Sequence, residues 1–293
     1  MFDTPILFLI FNRPDTTQKV FDTLRQLKPK YLYIAADGPR PNRPGEQDRC
    51  TQARAIIKQI DWECQLKTLF RSYNLGCGKA VSQGITWFFD HVEQGIIIED
   101  DIIASPTFFH FAEEMLSKYK DTPQIMHISA FNPLGEVSIS ETYYFSMFVH
   151  IWGWATWKRA WQKYIFQPTQ EQINQIIQPY HTEGEKKYLQ KLGAALQRAD
   201  TWDYQWTMTV QREAGLGVSP NKNLILNIGF GEDATHTTKA NPWANVQKYD
   251  LPTQIIHPAT IARNKKIETQ SLQNLRYTAF RTKIINKLNS FFP

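Results

Sequence analysis

The chain has 293 residues, 42% of them hydrophobic, enough to bury a substantial core without a disulfide or metal staple. Apolar runs such as Ile6 to Phe11 fall far short of the roughly 20 residues that span a bilayer, and no basic segment leading into an apolar one opens the chain, so neither a membrane span nor a secretory signal is expected. The net charge of +5 is concentrated between Arg263 and Lys287, where seven basic residues face the single acid Glu268; the remainder is near −1, with no basic stripe, and nucleic acid is not an expected partner.

The first hundred residues alternate apolar strands with amphipathic helices, the pattern of an α/β sheet with helices on its faces. Strands are predicted at Ile6 to Phe11, Tyr31 to Ala36, Leu66 to Arg71 and Gly95 to Ile98, with helices at Asp15 to Leu27, Asp48 to Ile60 and Lys79 to His91. Ser105-Pro106 starts a further helix through Tyr119, and Gln124 to Ser129 reads as another strand. From Phe131 to Trp161 the chain is aromatic and irregular; Thr169 to Arg198 reads as helical, broken near Pro179 and Gly184, and Tyr204 to Glu213 as a short helix. Ser271 to Leu288 forms a basic amphipathic helix. Cys50, Cys64 and Cys77 form no C-x-x-C pair, which suits ordinary thiols in a reducing compartment and a cytoplasmic setting.

In an open α/β sheet, ligands bind beyond the carboxyl ends of the strands. The residues there are Phe11, Asn12 and Arg13, then Asp37 and Gly38, then Asn74 and Gly76, then Glu99, Asp100 and Asp101. Three consecutive carboxylates repel one another unless a cation sits among them, and an all-oxygen ligand set points to Mg2+ or Mn2+ with a diphosphate. A solvated strand end, with Asp capping a turn, is the plain alternative. Asp37 either faces a nucleotide or only starts the turn Asp37-Gly38-Pro39. Tyr73 and Ala80 break the phosphate-loop pattern around Gly78-Lys79, and no G-x-G-x-x-G follows the first strand, so neither a P-loop kinase nor a Rossmann dehydrogenase is expected.

These segments, with Ala80 and Gly84, resemble the nucleotide-sugar half of glycosyltransferases of the GT-A fold. Glu99-Asp100-Asp101 followed by Ser105-Pro106-x-Phe108-Phe109 most resembles the N-acetylglucosaminyltransferases that initiate hybrid and complex N-glycans. His127 to Asn132, Trp152-Gly153-Trp154 and Thr201 to Trp206 follow in the same order as similar segments there. The resemblance implies an α/β GT-A domain with a mixed central sheet over residues 1–262, divided into a nucleotide-sugar half (1–130) and an acceptor half (131–262), with a basic tail at 263–293. It implies a UDP-sugar donor, with N-acetylglucosamine the sugar suggested and a hexose the alternative, and a glycan or lipid-linked saccharide acceptor. Arg13 and Asp37, beside Phe11 and Asn12, would contact the nucleotide, and Glu99 and Asp100 the ribose and sugar. Asp101 would bind the metal, and Gly153, Trp154 and Ala155 would line the sugar pocket. Asp203, beside Trp202, would be the base. Where the family has a histidine near the donor, this chain offers Gln83 or a neighbour, a departure that leaves the donor's identity open. The chain offers no signal anchor, so a bacterial-type soluble relative acting on polysaccharide or glycan is expected.

The residues also speak for themselves. An inverting transfer needs a carboxylate to take the acceptor's proton, and the aromatic surroundings of Asp203 suit one; it could equally cap the helix that follows, and Asp200 is the nearby competitor. The tryptophans are either sugar-stacking or core. His236, in a polar loop, is either a further metal ligand or an ordinary surface side chain. The basic tail could rest on an anionic membrane surface or pack on the body. The rival functions are a sugar-nucleotide pyrophosphorylase, disfavoured because Phe11-Asn12-Arg13-Pro14 lacks glycine, and a non-catalytic carbohydrate-binding protein.

Overall fold

The computed structural model describes residues 1–196, 198, 200–230, 243 and 246–274. Strand β1 (Ile6–Ile10) leads to α1 (Pro14–Leu27), β2 (Tyr31–Ala36), α2 (Glu46–Ala55) with a 3-10 turn over Ile56–Gln59, and β3 (Gln65–Phe70). Then come α3 (Cys77–Phe89), β4 (Gln94–Glu99), β5 (Ile102–Ala104), α4 (Pro106–Lys118) and β6 (Ile125–Ser129). The aromatic region holds β7 (Tyr143–Ser146), β8 (Trp154–Trp157) and the short α5 (Lys158–Trp161). Helices α6 (Gln170–Ile177), α7 (Glu183–Leu196) and α8 (Asp203–Arg212) precede β9 (Leu216–Pro220) and β10 (Ile225–Asn227).

Helix starts follow local chemistry. Pro14 and Pro106 occupy first-turn positions where a missing N–H costs nothing. Ser105 accepts from the Thr107 N–H, and Thr169 and Gln172 cap each other reciprocally at the start of α6.

Eight strands form one sheet in the order β3-β2-β1-β4-β8-β6-β9-β7, and β10 pairs with β5 in a small second sheet. Strands β1 to β4 are parallel, whereas β8 enters antiparallel between β4 and β6. This is the expected α/β class with a mixed central sheet between helices. Alternation along the central strands divides the core. Ile6, Phe8, Ile10, Ile96 and Ile98 pack with Val20, Phe21 and Leu24 of α1 and Phe108 and Phe111 of α4. Leu7, Leu9 and Ile97 face the other way, onto Ile85 and Phe88 of α3 and Trp206 of α8. The central strands are therefore apolar on both faces, which leaves chemistry to their ends.

The section beginning at Arg263 is tied to this body. Arg263 pairs with Glu185 and Glu268, Glu268 accepts from the Met147 N–H at 2.6 Å, and Asn264 donates its N–H to the Phe145 carbonyl at 2.8 Å. Residues 265–274 are helical; the rest of the expected basic helix lies outside the described residues. No helix among the described residues is long and apolar enough to cross a membrane.

Candidate active site

The chain steps outward from β1 to β2 to β3 and then returns to place β4 on the other side of β1. The carboxyl ends of β1 and β4 therefore flank a topological switch point, the place where open α/β sheets hold ligands. Asn12 and Arg13 lie on one side of it and Glu99, Asp100 and Asp101 on the other. Arg13 closes the gap as a fork: one guanidinium nitrogen pairs with Asp100 and the other with Asp101 Oδ2 at 3.0 Å. Asp100 is further held by the Phe11 N–H at 3.2 Å and by Thr17 Oγ1 at 3.5 Å.

Burial pushes the Glu99 and Asp100 carboxyls upward. At Glu99 the neighbouring Asp101, Asp100 and Asp203 charges add to the rise, which Arg13 only partly opposes; at Asp100, Arg13 opposes it before Asp101 reinforces it. Burial alone would lower Arg13, but the two aspartates hold it firmly protonated. Glu99 Oε1 and Asp101 Oδ1 are buried and have no hydrogen-bond partner, an arrangement that costs stability and marks groups awaiting a partner. Gly229 follows β10 across this cluster. The Ile228 N–H donates to the Asp101 carbonyl at 2.8 Å, and a Cβ at Gly229 would overlap the Asp101 carboxylate.

Phe11 and Asn12 face the loop before α2. The Arg40 guanidinium lies 5.8 Å from the centre of the Phe11 ring, and Asn12 Nδ2 donates to the buried Glu46 at 2.9 Å, whose carboxylate also pairs with Arg40. Asp37, at the end of β2, accepts three backbone N–H groups, from Gly38 and Leu75 at 3.0 Å and Gly76 at 3.2 Å. Burial raises its carboxyl against those bonds. Asp37 thus organises the loop after β3 whatever else it contacts. Gln83 is exposed on α3 and accepts from Arg71 at 3.5 Å.

The glycines of Asn74 to Gly78 serve a contact that the sequence did not suggest. Asp200 Oδ1 accepts from the Gly78 N–H at 3.0 Å, and a Cβ at Gly76 or Gly78 would strike the Asp200 carboxylate. Asp200 thereby caps the N-terminus of α3 from across the fold, where orphan N–H groups and the helix dipole favour an anion. The competitor for the base role has a structural occupation.

Asp203 opens α8, and Thr201 Oγ1 donates to its carboxylate. Although 104 positions away in the sequence, it is close enough to Glu99 for its charge to raise that carboxyl. Beneath it lies an aromatic stack. Trp154 is fully buried, parallel to Trp202 at 5.6 Å and to His127 at 5.1 Å. Both ring faces are covered, so Trp154 is core rather than an open stacking surface, though its buried indole N–H lacks a partner. Trp202 is 2% exposed, and its carbonyl accepts from Tyr164 at 3.1 Å. His127, fully buried, accepts at Nδ1 from the Trp206 indole at 3.1 Å, and its Nε2 lies 3.0 Å from the His150 carbonyl. Those partners fix the neutral tautomer with the proton on Nε2, and burial pushes its pKa down to about 3.

Gly153, in the left-handed region at φ 67°, immediately precedes β8, and a Cβ there would crowd Ala130, Ile225 and Ile102. Before it, Trp152 continues an aromatic path, with Phe131 at 4.6 Å, Phe230 at 5.7 Å and Trp243 at 6.1 Å. Trp243 lines a cavity of about 430 Å³ with Gln247, Tyr249 and Glu136. His236 lies outside the described residues.

No protein-family model and no curated protein matches the chain. The solved structures it resembles include mouse xyloside xylosyltransferase 1, 9% identical with a TM-score of 0.37 over 71% of this chain and 81% of that one. HddC from Yersinia pseudotuberculosis, complexed with GMP-PN, is 11% identical with a TM-score of 0.33 over 54% and 78%. A UDP-glucose pyrophosphorylase complexed with UDP-glucose is 11% identical with a TM-score of 0.34 over 76% and 92%. Likenesses this loose assign neither site residues nor an activity.

Proposed function

We propose that the protein is an inverting, metal-assisted glycosyltransferase of the GT-A type that uses a nucleotide-diphosphate sugar. The observation that carries this reading is the buried acidic end of β4 at the switch point, forked to Arg13 and approached by Asp203. Arg13, Phe11, Asn12 and Asp37 border the nucleotide side. Glu99 and Asp100 would face the ribose and sugar, with Gly153 at the pocket wall. The donor would be a UDP-sugar, with N-acetylglucosamine suggested by the sequence resemblance.

Among the described residues no group of three or more His, Cys, Asp or Glu is arranged as a metal cage. A magnesium or manganese ion that completes its shell with diphosphate oxygens needs only one or two carboxylates, and the unpartnered Asp101 Oδ1 fits that need. Bound there, the ion would offset charge on the departing diphosphate.

In the transfer, the acceptor hydroxyl gives its proton to Asp203 as its oxygen forms the bond to the anomeric carbon. The bond from that carbon to the diphosphate oxygen breaks on the opposite face, and the nucleoside diphosphate leaves with the electron pair. Arg13 stays within reach of the phosphate charge, and holding both substrates in line supplies much of the rate. The cavity beside Trp243, with aromatic and amide walls, suits a saccharide acceptor extending away from the reacting hydroxyl.

The test is calorimetric titration of a UDP-sugar panel with and without Mn2+, followed by transfer assays on a panel of saccharide acceptors. Asp203→Asn is expected to keep donor affinity and lose transfer by about 100- to 10,000-fold. Wild-type transfer rates in Asp203→Asn, or no binding of any nucleotide sugar, would overturn the reading.

A further inference from the structure

The two ends of the Arg13 fork are not equivalent. Asp100 has a side chain only 4% exposed and keeps another donor, the Phe11 N–H at 3.2 Å. Asp101 is more open, at 14%; its Oδ2 is held by Arg13 at 3.0 Å and its buried Oδ1 has no partner. Arg13 itself is 20% exposed. Its backbone carbonyl is anchored separately, accepting the Thr17 N–H at 3.0 Å, so the guanidinium can swing while the start of α1 stays fixed. The Asp101 contact is therefore the releasable half of the fork.

We propose that Arg13 is a built-in counter-cation that a divalent ion must displace from Asp101, so that metal binds weakly alone and strongly with a nucleotide diphosphate. The inference rests on the functional reading above and adds an order of events to it. While the site is empty of nucleotide, the guanidinium offsets part of the charge of the two aspartates and repels a second cation. An arriving diphosphate brings the negative charge that the freed end of the fork requires. Arg13 then exchanges a carboxylate for a phosphate, its other nitrogen staying on Asp100, and Asp101 is released to the ion. Asp100 and Asp101 each keep a cationic partner through the exchange, which matters in a site this buried.

The experiment measures Mn2+ affinity without nucleotide, by electron paramagnetic resonance of free Mn2+ and by the shift of melting temperature with Mn2+. Wild type, Arg13→Met, Arg13→Lys and the double variant Arg13→Met/Asp100→Asn are compared. The double variant removes the buried charge that Arg13→Met alone leaves unpaired, so a folding defect in the single variant does not decide the result. Arg13→Met and the double variant are expected to bind Mn2+ about tenfold tighter than wild type or more, because the ion no longer has to displace a guanidinium from Asp101; the double variant removes one charge of each sign and so separates that contact from a change in net charge. Arg13→Lys, which cannot bridge both carboxylates, should fall between. Unchanged or weaker Mn2+ binding in the double variant would overturn the proposal. A parallel titration with UDP, GDP and CDP present separates the two claims. Nucleotide-promoted Mn2+ binding in wild type with no gain in the variants refutes the displacement alone. No nucleotide or Mn2+ binding under any condition refutes the glycosyltransferase reading as well.

Discussion

Neutralising Glu99 should make the protein more stable and less active. Its Oε1 is buried without a partner, and its carboxyl is raised by burial and then by Asp101, Asp100 and Asp203, with Arg13 a partial offset. The folded pKa lies above the unfolded one, so the folded state keeps a proton that the unfolded chain releases. Stability is then greatest below the unfolded carboxylate range and falls as pH rises through the folded value. Two carboxylates about 5 Å apart, at an effective dielectric near 20, repel by about 3 kcal/mol. Arg13 cancels part of this, which leaves a gain of about 1 to 3 kcal/mol for Glu99→Gln at pH 8. In a chain of this size that is a rise in melting temperature of about 2 to 5 °C. The assay is thermal or urea unfolding of both proteins from pH 5 to pH 8, with donor binding measured in parallel. Glu99→Gln should flatten the alkaline decline and weaken donor binding. A variant less stable than wild type at pH 8, or with the same pH slope, would refute the reasoning.

Two other outcomes test the surroundings of the site. Gly229→Ala places a methyl group against the Asp101 carboxylate and should weaken Mn2+-dependent donor binding at least about tenfold, measured calorimetrically, for about 1 to 3 kcal/mol of stability; wild-type affinity would show that Asp101 is not needed in its present position. His127 is held neutral, its pKa pushed down to about 3 by burial, whereas the unfolded chain protonates it near 6.5. Its contribution is present above that value and is lost as pH falls toward 3, at about 1.4 kcal/mol per pH unit. His127→Gln should therefore lose about 2 kcal/mol less than wild type between pH 7 and pH 5 in urea unfolding; an unchanged slope would contradict the burial argument.

Most of the sheet's first half is legible because its strands repeat apolar residues and its helices carry start signals. Tyr31–Ala36 appears as read, Ile6–Ile10 and Ile125–Ser129 differ from the reading by one residue at an end, and Gln65–Phe70 is shifted by one residue at both ends. The second half resists because its order depends on distant partners. Trp154–Trp157 is a four-residue strand inserted between β4 and β6, which come earlier in the chain, and Ile225–Asn227 pairs with residues 102–104. Segments of three or four residues carry too little periodicity to declare themselves. The acidic cluster was visible because three adjacent carboxylates after an apolar strand are chemically conspicuous. Its fork to Arg13 was not, since the 87 positions between Arg13 and Asp100 close only through β1–β4 pairing. For Trp154 the sequence leaves sugar-stacking and core both open, because aromatic composition does not reveal which faces are covered; the buried side chain is core.

The neighbours Asp200 and Asp203 show how location decides the role of one side-chain type. Asp200 is drawn to the amino end of α3, and the close approach explains why Gly76 and Gly78 bear no side chains. Asp203, one turn before Trp206, belongs to a helix whose far side is pinned in the core. The Trp206 indole donates to His127 at 3.1 Å, and Gln211 Nε2 donates to the Met147 carbonyl at 2.6 Å. With Asp200 fixing the chain just ahead of α8 and His127 holding it one turn in, the position of Asp203, within electrostatic reach of Glu99, is set from both directions. Sheet register cannot do this, because α8 contributes no strand. A carboxylate delivered by a helix to the end of a strand relies on such polar anchors, and the neutral His127 suits the task because its two ring nitrogens hold opposite hydrogen-bonding roles without bringing a charge into the core.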